Sequence, residues 1–169
     1  IQAMTINKVC GSGLKSVMLA TQAIQANDAE VIIAGGMECM SKAPYLAHGL
    51  RSGLKMGHNQ LIDSMISDGL WDVYNNTHMG NCGELCAKEL TITKKEQDDF
   101  AVLSYQRALE AQKTGKFKPE IVGVEIPQKK GNPLLIDTDE EPGKGNIEKI
   151  HDLKPVFQKD GTITAANAS

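Results

Sequence analysis

The fold class is decided by residues 3–36, which read AMTINKVCGSGLKSVMLATQAIQANDAEVIIAGG. Residues 3–9 carry spaced apolar side chains, as in a short strand, before Cys-Gly-Ser-Gly interrupts the pattern. Apolar residues then recur at helical spacing over residues 14–26, where neither proline nor glycine occurs. A second strand-sized apolar run follows over residues 30–34 and stops at two glycines. Together these segments predict a βαβ unit with parallel strands, and hence an α/β fold.

The pattern changes beyond residue 41 to loops that connect short helices and one pair of strands. The predicted elements are helices over residues 61–69, 78–90 and 94–114 and paired strands over residues 121–126 and 134–136. The third helix is the most clearly delimited, because Thr93 and Glu96 form a capping box and Gly115 is a helix stop. We expect the acidic run over residues 137–141 to be a solvated loop.

Composition argues against several classes of protein. Hydrophobic residues make up 41% of the 169 residues and charged residues 23%, as in globular domains rather than disordered segments. The net charge of −3 gives no support for a nucleic-acid partner. No apolar run approaches the roughly 20 residues that span a bilayer, so we expect no membrane segment. The four cysteines are expected to be reduced, because the chain exceeds the size of disulfide-dependent scaffolds.

Both ends of the chain indicate an interior segment of a longer protein. Ile1 has no initiator methionine before it, and the small, polar run that closes at Ser169 is typical of the start of another element. We therefore expect targeting signals to lie outside this sequence. A cytoplasmic location is the default expectation, with a mitochondrial location as the alternative.

Cys10 is the candidate nucleophile, in the run Lys8-Val9-Cys10-Gly11-Ser12-Gly13 between the first predicted strand and its helix. The free amides and positive dipole end of that helix favour a thiolate over a thiol. Gly11 and Gly13 permit the close backbone approach that an acyl thioester and its oxyanion require. The pattern alone leaves open a small buried cysteine, which is the commoner use of such a residue, and a redox pair with Cys39.

A second group of candidate ligands lies on one face of the predicted helix over residues 78–90. His78, Cys82 and Cys86 recur every four residues and are residue types that bind zinc. Met79 and Leu90 share that face, however, and no fourth ligand lies nearby. We therefore interpret the three residues as packing or capping residues and predict no metal site.

Five stretches of the chain resemble the thiolase family, in the family's order. They are Val9-Cys10-Gly11-Ser12-Gly13-Leu14-Lys15, Val31-Ile32-Ile33-Ala34-Gly35-Gly36-Met37-Glu38, Asp68-Gly69-Leu70, His78-Met79-Gly80 ahead of Glu84, and Asp160-Gly161-Thr162-Ile163-Thr164-Ala165-Ala166-Asn167-Ala168-Ser169 with Phe157 before it. The resemblance is strongest to the acetyl-CoA acetyltransferase (acetoacetyl-CoA thiolase) branch. It implies a partial thiolase fold, with the βαβ part of the N-terminal core half-domain followed by an α+β loop domain.

The implied domains follow the family's order. Residues 1–40 would be the latter part of the N-terminal core domain and would carry the nucleophile. Residues 41–163 would be the loop domain that covers the coenzyme A site. Residues 164–169 would begin the return to the core.

The resemblance implies acyl transfer on coenzyme A thioesters, in lipid metabolism. Cys10 would accept an acetyl group from acetyl-CoA, and a second, deprotonated acetyl-CoA would attack that thioester to give acetoacetyl-CoA; thiolysis is the reverse. Acetyl-CoA, acetoacetyl-CoA and coenzyme A would be substrates, and no separate cofactor is expected. Positions that match family residues along the coenzyme A path are Leu70, His78, Met79, Lys144, Phe157, Ala165 and Ser169.

Further implications concern what completes the enzyme. The family's activating histidine, its asparagine and its second cysteine lie in motifs beyond Ser169, so we expect this segment to be inactive alone. Pro142 stands where a potassium-binding branch has tyrosine, so the resemblance gives no basis for assigning a potassium site and leaves potassium dependence open. The family forms dimers or tetramers, and the loop over residues 47–63 resembles its tetramer contact. The alternatives are a broad-specificity degradative 3-ketoacyl-CoA thiolase and a non-catalytic thiolase-like protein that binds acyl-CoA or lipid.

Overall fold

The computed structural model describes residues 2–168 and divides into two compact units, Ile1–Met79 and Gly80–Ser169. Four α-helices and six short strands occur in the described part. The helices are α1 Ser12–Gln25, α2 Met79–Glu89, α3 Lys94–Lys113 and α4 Glu141–Lys144. The strands are β1 Tyr45–Ala47, β2 Leu61–Asp63, β3 Trp71–Asp72, β4 Thr77–His78, β5 Val124–Ile126 and β6 Leu134–Ile136. This mixture of helices and small sheets is consistent with the predicted α/β class, while the domain limits after residues 40 and 163 stay predictions.

In the first unit, the predicted helix is confirmed as α1, but the two flanking strands are wrong. Neither residues 3–9 nor residues 30–34 form a strand. The apolar side chains of the second run are open to solvent, with Val31 85% and Ile33 97% exposed. A strand needs a neighbour to take up its backbone hydrogen bonds, and none lies beside these segments in the described residues.

The end of α1 is fixed locally, as the sequence predicts. Asn27 adopts a left-handed backbone conformation, with φ of 60°. The Asp28 amide reaches back to the Ala23 carbonyl at 2.9 Å, and the Asn27 amide reaches the Ile24 carbonyl at 3.1 Å. These are the two hydrogen bonds of a Schellman motif, which asparagine tolerates at its left-handed position.

The rest of the first unit consists of two small antiparallel hairpins. Strand β1 pairs with β2, and β3 pairs with β4. The predicted helix over residues 61–69 is therefore wrong at its start, because Leu61 pairs with Ala47. Helical backbone begins only after β2 and continues as a π-helical turn over Ile66–Leu70. A short apolar run fits either structure, and here the partner strand decides between them.

The second unit is built around α2 and α3. Helix α2 begins at Met79, one residue later than predicted, because His78 is still part of β4. The capping box at the start of α3 is confirmed: the Glu96 amide donates to the Thr93 hydroxyl, and the Thr93 amide donates to the Glu96 carboxylate at 2.8 Å. Gly115, with φ of 69°, ends the helix as predicted.

The remaining elements of this unit lie after α3. The predicted strand pair is confirmed as β5 and β6, although β5 covers only the last part of residues 121–126. The acidic residues 137–141 are exposed, as expected, and Glu141 begins α4. A 3-10 segment, Ile147–Asp152, packs along α3. The buried apolar residues of the described chain all belong to this unit and are Ala87, Ala101, Ala111, Ile150 and Ile163.

Candidate functional site

Cys10 lies in a tight turn immediately before α1, and its side chain is exposed. Two backbone hydrogen bonds close the turn, from the Gly11 amide to the Lys8 carbonyl at 3.0 Å and from the Ser12 amide to the Val9 carbonyl at 3.1 Å. The Ser12 hydroxyl reinforces it, because it accepts from the Lys8 amide at 2.8 Å and donates to the Val9 carbonyl at 2.7 Å. The turn therefore presents the thiol to solvent rather than burying it as a small core residue.

The backbone before Cys10 is strained. Val9 has φ of 48°, a left-handed conformation that a β-branched side chain strongly disfavours. The Val9 amide is held by the Asn7 side chain at 2.9 Å, and its carbonyl is held by Ser12. Such strain persists only where the surrounding bonds impose it, and it occurs preferentially at functional positions.

Helix α1 offers unpaired donors close to this turn. The Lys15 amide is the first to bond back in the helical sense, to the Gly11 carbonyl at 2.9 Å. In the described part of the chain, the Gly13 and Leu14 amides have no acceptor, as the geometry of a helix start requires. No residue of α1 is buried, so these donors are accessible.

The β3–β4 hairpin brings together three predicted coenzyme A residues of the first unit. Trp71 pairs with His78, so Leu70 and Met79 flank that pair at the same end of the hairpin. Leu70 is 38% exposed and Met79 46% exposed. The three residues are therefore close along the backbone at this end of the hairpin, while side chains next to each other in a strand face opposite sides of it.

The other predicted coenzyme A residues lie in the second unit, and the structure does not gather them into one site. Phe157 places its ring where a side chain on Gly80 would be, so the ring covers the start of α2. Ala165 and Lys144 are both exposed. Lys144 lies on α4, where its Nζ forms ion pairs with the carboxylate oxygens of Glu140 at 3.3 Å and Glu141 at 2.5 Å. Ser169 lies outside the described residues.

Sequence reasoning missed a buried carboxylate in this unit, Glu84 on α2, which is 5% exposed. Its carboxylate accepts from the Thr162 amide at 2.8 Å, the Ile163 amide at 2.8 Å and the Thr162 hydroxyl at 2.9 Å. Burial alone would raise the pKa of Glu84, but these hydrogen bonds from Ile163 and Thr162 hold that pKa below its ordinary value. Glu84 therefore binds the backbone of residues 162–163 as an ionised group.

A second buried carboxylate, Asp98 on α3, holds the other end of the same segment. Asp98 is 1% exposed and accepts from the Asn167 side chain at 2.8 Å and from the Lys94 ammonium group at 2.6 Å. Asn167 also donates to the Thr162 carbonyl at 3.0 Å and accepts from the Thr164 amide at 2.7 Å. The bonds of Glu84 to Thr162 and of Asp98 to Asn167 join residues 78 and 69 positions apart, so no local pattern in the sequence could have revealed these long-range contacts.

An open cleft of about 470 Å³ lies beside Glu84, with Lys88, Thr93 and Asp160 on its walls. None of the predicted coenzyme A residues lines this cleft. In residues 2–168, no three His, Cys, Asp or Glu side chains are grouped so as to hold a metal ion. The same residues contain no disulfide, and no helix among them is long and apolar enough to cross a membrane.

Comparison with known proteins identifies the family. Residues 1–169 match the family model for the thiolase N-terminal domain. The whole chain is 57% identical to an acetyl-CoA acetyltransferase of Cupriavidus necator and 54% identical to one of Pseudomonas aeruginosa, covering 43% of each. It is also 54% identical to an acetyl-CoA acetyltransferase of Yarrowia lipolytica, covering 42%. The chain thus spans less than half the length of these relatives, and it belongs to the thiolase family through its N-terminal domain.

Proposed function

We propose that Cys10 is the nucleophile of an acyl transfer between coenzyme A thioesters in the full-length protein. The Cys10 sulfur attacks the carbonyl of acetyl-CoA, a new thioester forms on the protein, and coenzyme A leaves with the proton. The methyl carbanion of a second acetyl-CoA then attacks this thioester. A carbon–carbon bond forms, the bond from sulfur to the acyl group breaks, and acetoacetyl-CoA is released.

One observation carries this proposal: Cys10 is an exposed thiol on a strained turn directly before a helix with unpaired amides. Exposure gives a bulky thioester access to the sulfur, and a helix start stabilises negative charge nearby. The names of the relatives, each an acetyl-CoA acetyltransferase, support the same chemistry. We further propose, from the family resemblance, that the apolar arm of the thioester lies on Leu70, His78 and Met79.

The proposal leaves the proton transfers to groups outside this chain. We assign no histidine of this chain as the base that activates Cys10, because none lies in a sequence motif that resembles the one around the family's activating histidine. The histidines concerned are His48, His58, His78 and His151. The chain spans 43% of the length of its relatives, so the whole reaction is proposed for the full-length protein alone. We propose that the full-length protein acts as a dimer or tetramer in the cytoplasm or mitochondrion.

The test is acetyl transfer onto the protein in the absence of an acceptor. The full-length protein is incubated with isotopically labelled acetyl-CoA, digested and examined by peptide mass spectrometry. We expect a labelled acetyl thioester on the Cys10 peptide, which hydroxylamine removes. Cys10→Ala should abolish both the label and turnover.

Cys39→Ala is the matched control, because Cys39 is also an exposed thiol in the same unit. It should retain labelling and turnover. A label on another cysteine, or none on the wild-type protein, would refute the role of Cys10. Turnover of acetoacetyl-CoA compared with a longer 3-ketoacyl-CoA would then separate the acetoacetyl-specific reaction from the broad-specificity one.

A further inference from the structure

We propose that Glu84 is a positioning residue that holds residues 162–167 in the conformation that binds a coenzyme A thioester. This inference rests on the proposed function, because it assigns the segment around Ala165 to thioester binding. Glu84 itself touches no reacting atom in this proposal. It acts through the backbone of the segment that it holds.

The bonds of Glu84 are directed at the backbone of one short stretch. Thr162 and Ile163 are consecutive, and both of their amides donate to this single carboxylate. Two successive amides that converge on one carboxylate fix the peptide plane between them. The Thr162 hydroxyl adds a third donor, and it also accepts from the Gln97 side chain at 3.0 Å, which joins α3 to the same point.

The approach of Glu84 to this backbone is close enough to require a glycine. A side chain on Gly161 would occupy the position of the Glu84 carboxylate oxygen. The carboxylate therefore lies directly over the chain just before the two amides that it binds. Such a close approach leaves the backbone at Gly161 little room to shift relative to the carboxylate.

The segment is anchored at its other end as well. Asn167 donates to Asp98 on α3 and closes the loop on itself by bonding to the Thr164 amide and the Thr162 carbonyl. Thr164 is fully buried, whereas Ala165 between the two anchors is exposed. We infer from this anchoring at both ends that Ala165 offers a fixed position to a ligand.

Three variants of the full-length protein test the role of Glu84. Glu84→Ala removes every acceptor from the Thr162 and Ile163 amides. Glu84→Gln keeps a carbonyl oxygen at the Oε1 position, which accepts from both amides, and loses the second Thr162 amide bond at the Oε2 position. The NH2 group there faces the Thr162 hydroxyl, which can accept from it. Glu89→Ala is the matched control, because Glu89 is an exposed glutamate at the end of the same helix.

The measurements are the KM for acetyl-CoA, kcat, and hydrogen exchange of peptides that cover residues 158–168. We expect Glu84→Ala to raise KM about tenfold, as small displacements of a binding surface do, with kcat within about threefold of wild type. Exchange should accelerate at residues 162–163. Glu84→Gln should recover most of both properties, and Glu89→Ala should match the wild type.

These readouts separate positioning from general stability and from the proposed function itself. A purely structural role would reduce the fraction of active protein, which lowers kcat and leaves KM unchanged, and that result would overturn the inference. An unchanged KM in Glu84→Ala would also overturn it. If Glu84→Ala does not fold, Thr162→Val removes only the hydroxyl donor and should still raise KM, and an unchanged KM would refute the inference. If wild-type Cys10 takes up no acetyl group, the proposed function fails first, independently of Glu84.

Discussion

Helix α3 carries two lysine–aspartate pairs with the same spacing and distance that differ in burial and in their further hydrogen bonds, and they allow a sharp prediction. Lys94–Asp98 and Lys95–Asp99 are both spaced four residues apart, and both have a nitrogen–oxygen distance of 2.6 Å. The side chain of Asp98 is 2% exposed, whereas that of Asp99 is 49% exposed. We expect Asp98→Asn to destabilise the protein strongly and Asp99→Asn to have no measurable effect.

The magnitude for Asp98→Asn follows from the bonds that change. The Asp98 carboxylate accepts from Lys94 and from Asn167, and a hydrogen bond to a charged group contributes about 1.5–3 kcal/mol. The new amide keeps one oxygen for Asn167, so one charged bond is lost. Lys94 is 27% exposed and retains the His151 carbonyl at 3.0 Å, which limits its loss of solvation. We therefore expect about 2 kcal/mol, below the ~3–5 kcal/mol for a fully buried pair.

The assay is urea denaturation of the full-length protein, followed by far-ultraviolet circular dichroism. The free energy of unfolding and its denaturant slope are compared for wild type, Asp98→Asn and Asp99→Asn. Exposed ion pairs contribute little, because water and salt screen them. Equal losses in the two variants would refute the reasoning, since burial would then not determine the contribution of the pair.

Three further predictions use other contacts of the second unit. Thr93→Ala removes the cap of α3 and should lower the free energy of unfolding by about 1 kcal/mol in the same denaturation assay, whereas no loss would contradict the capping box. Gly80→Ala places a methyl group in the ring of Phe157 and should cost about 1–3 kcal/mol, which Phe157→Leu in the double variant should partly recover. Hydrogen bonding holds the pKa of Glu84 in the folded protein below the ordinary value of 4.5. The ionised Glu84 therefore contributes fully to the free energy of unfolding above pH 4.5, and this contribution is lost as the pH falls through the pKa of the folded state. Acid titration should therefore destabilise wild type more steeply than Glu84→Gln, and parallel profiles would contradict this assignment.

The elements that the sequence predicts well are the helices whose ends are set by residues close to them in the sequence. Helix α3 begins at a capping box within four residues and ends at Gly115, where the Lys116 amide bonds to the Ala111 carbonyl at 3.0 Å. Helix α1 ends at Asn27 by the same kind of local hydrogen bonding. Each of these signals is contained in one turn of backbone, so a single sequence is enough to locate it.

The strands were harder to predict because their partners are distant or missing. Leu61 and Ile62 fit a helix as well as a strand, and only pairing with residues 45–47 selects the strand. Residues 30–34 have strand composition, yet no described strand lies beside them and they remain open to solvent. The same limit applies to the candidate site. Cys10 was found from its own turn, whereas Glu84 depends on bonds to residues 78 positions away.

The buried residues of the second unit indicate how its geometry is specified. Three of its five buried apolar residues are alanines, which bury little surface and fix few directions. The buried polar side chains of this unit, Glu84, Asp98 and Thr164, are all hydrogen bonded to the segment over residues 162–167 or lie within it. Apolar contacts are not directional, whereas hydrogen bonds to a carboxylate fix both distance and angle. The conformation of this segment is therefore determined by hydrogen bonding more than by packing. Substitutions that keep the branched shape of a side chain but remove its acceptors, such as Asp98→Leu, should disturb this segment more than small changes in the alanine core.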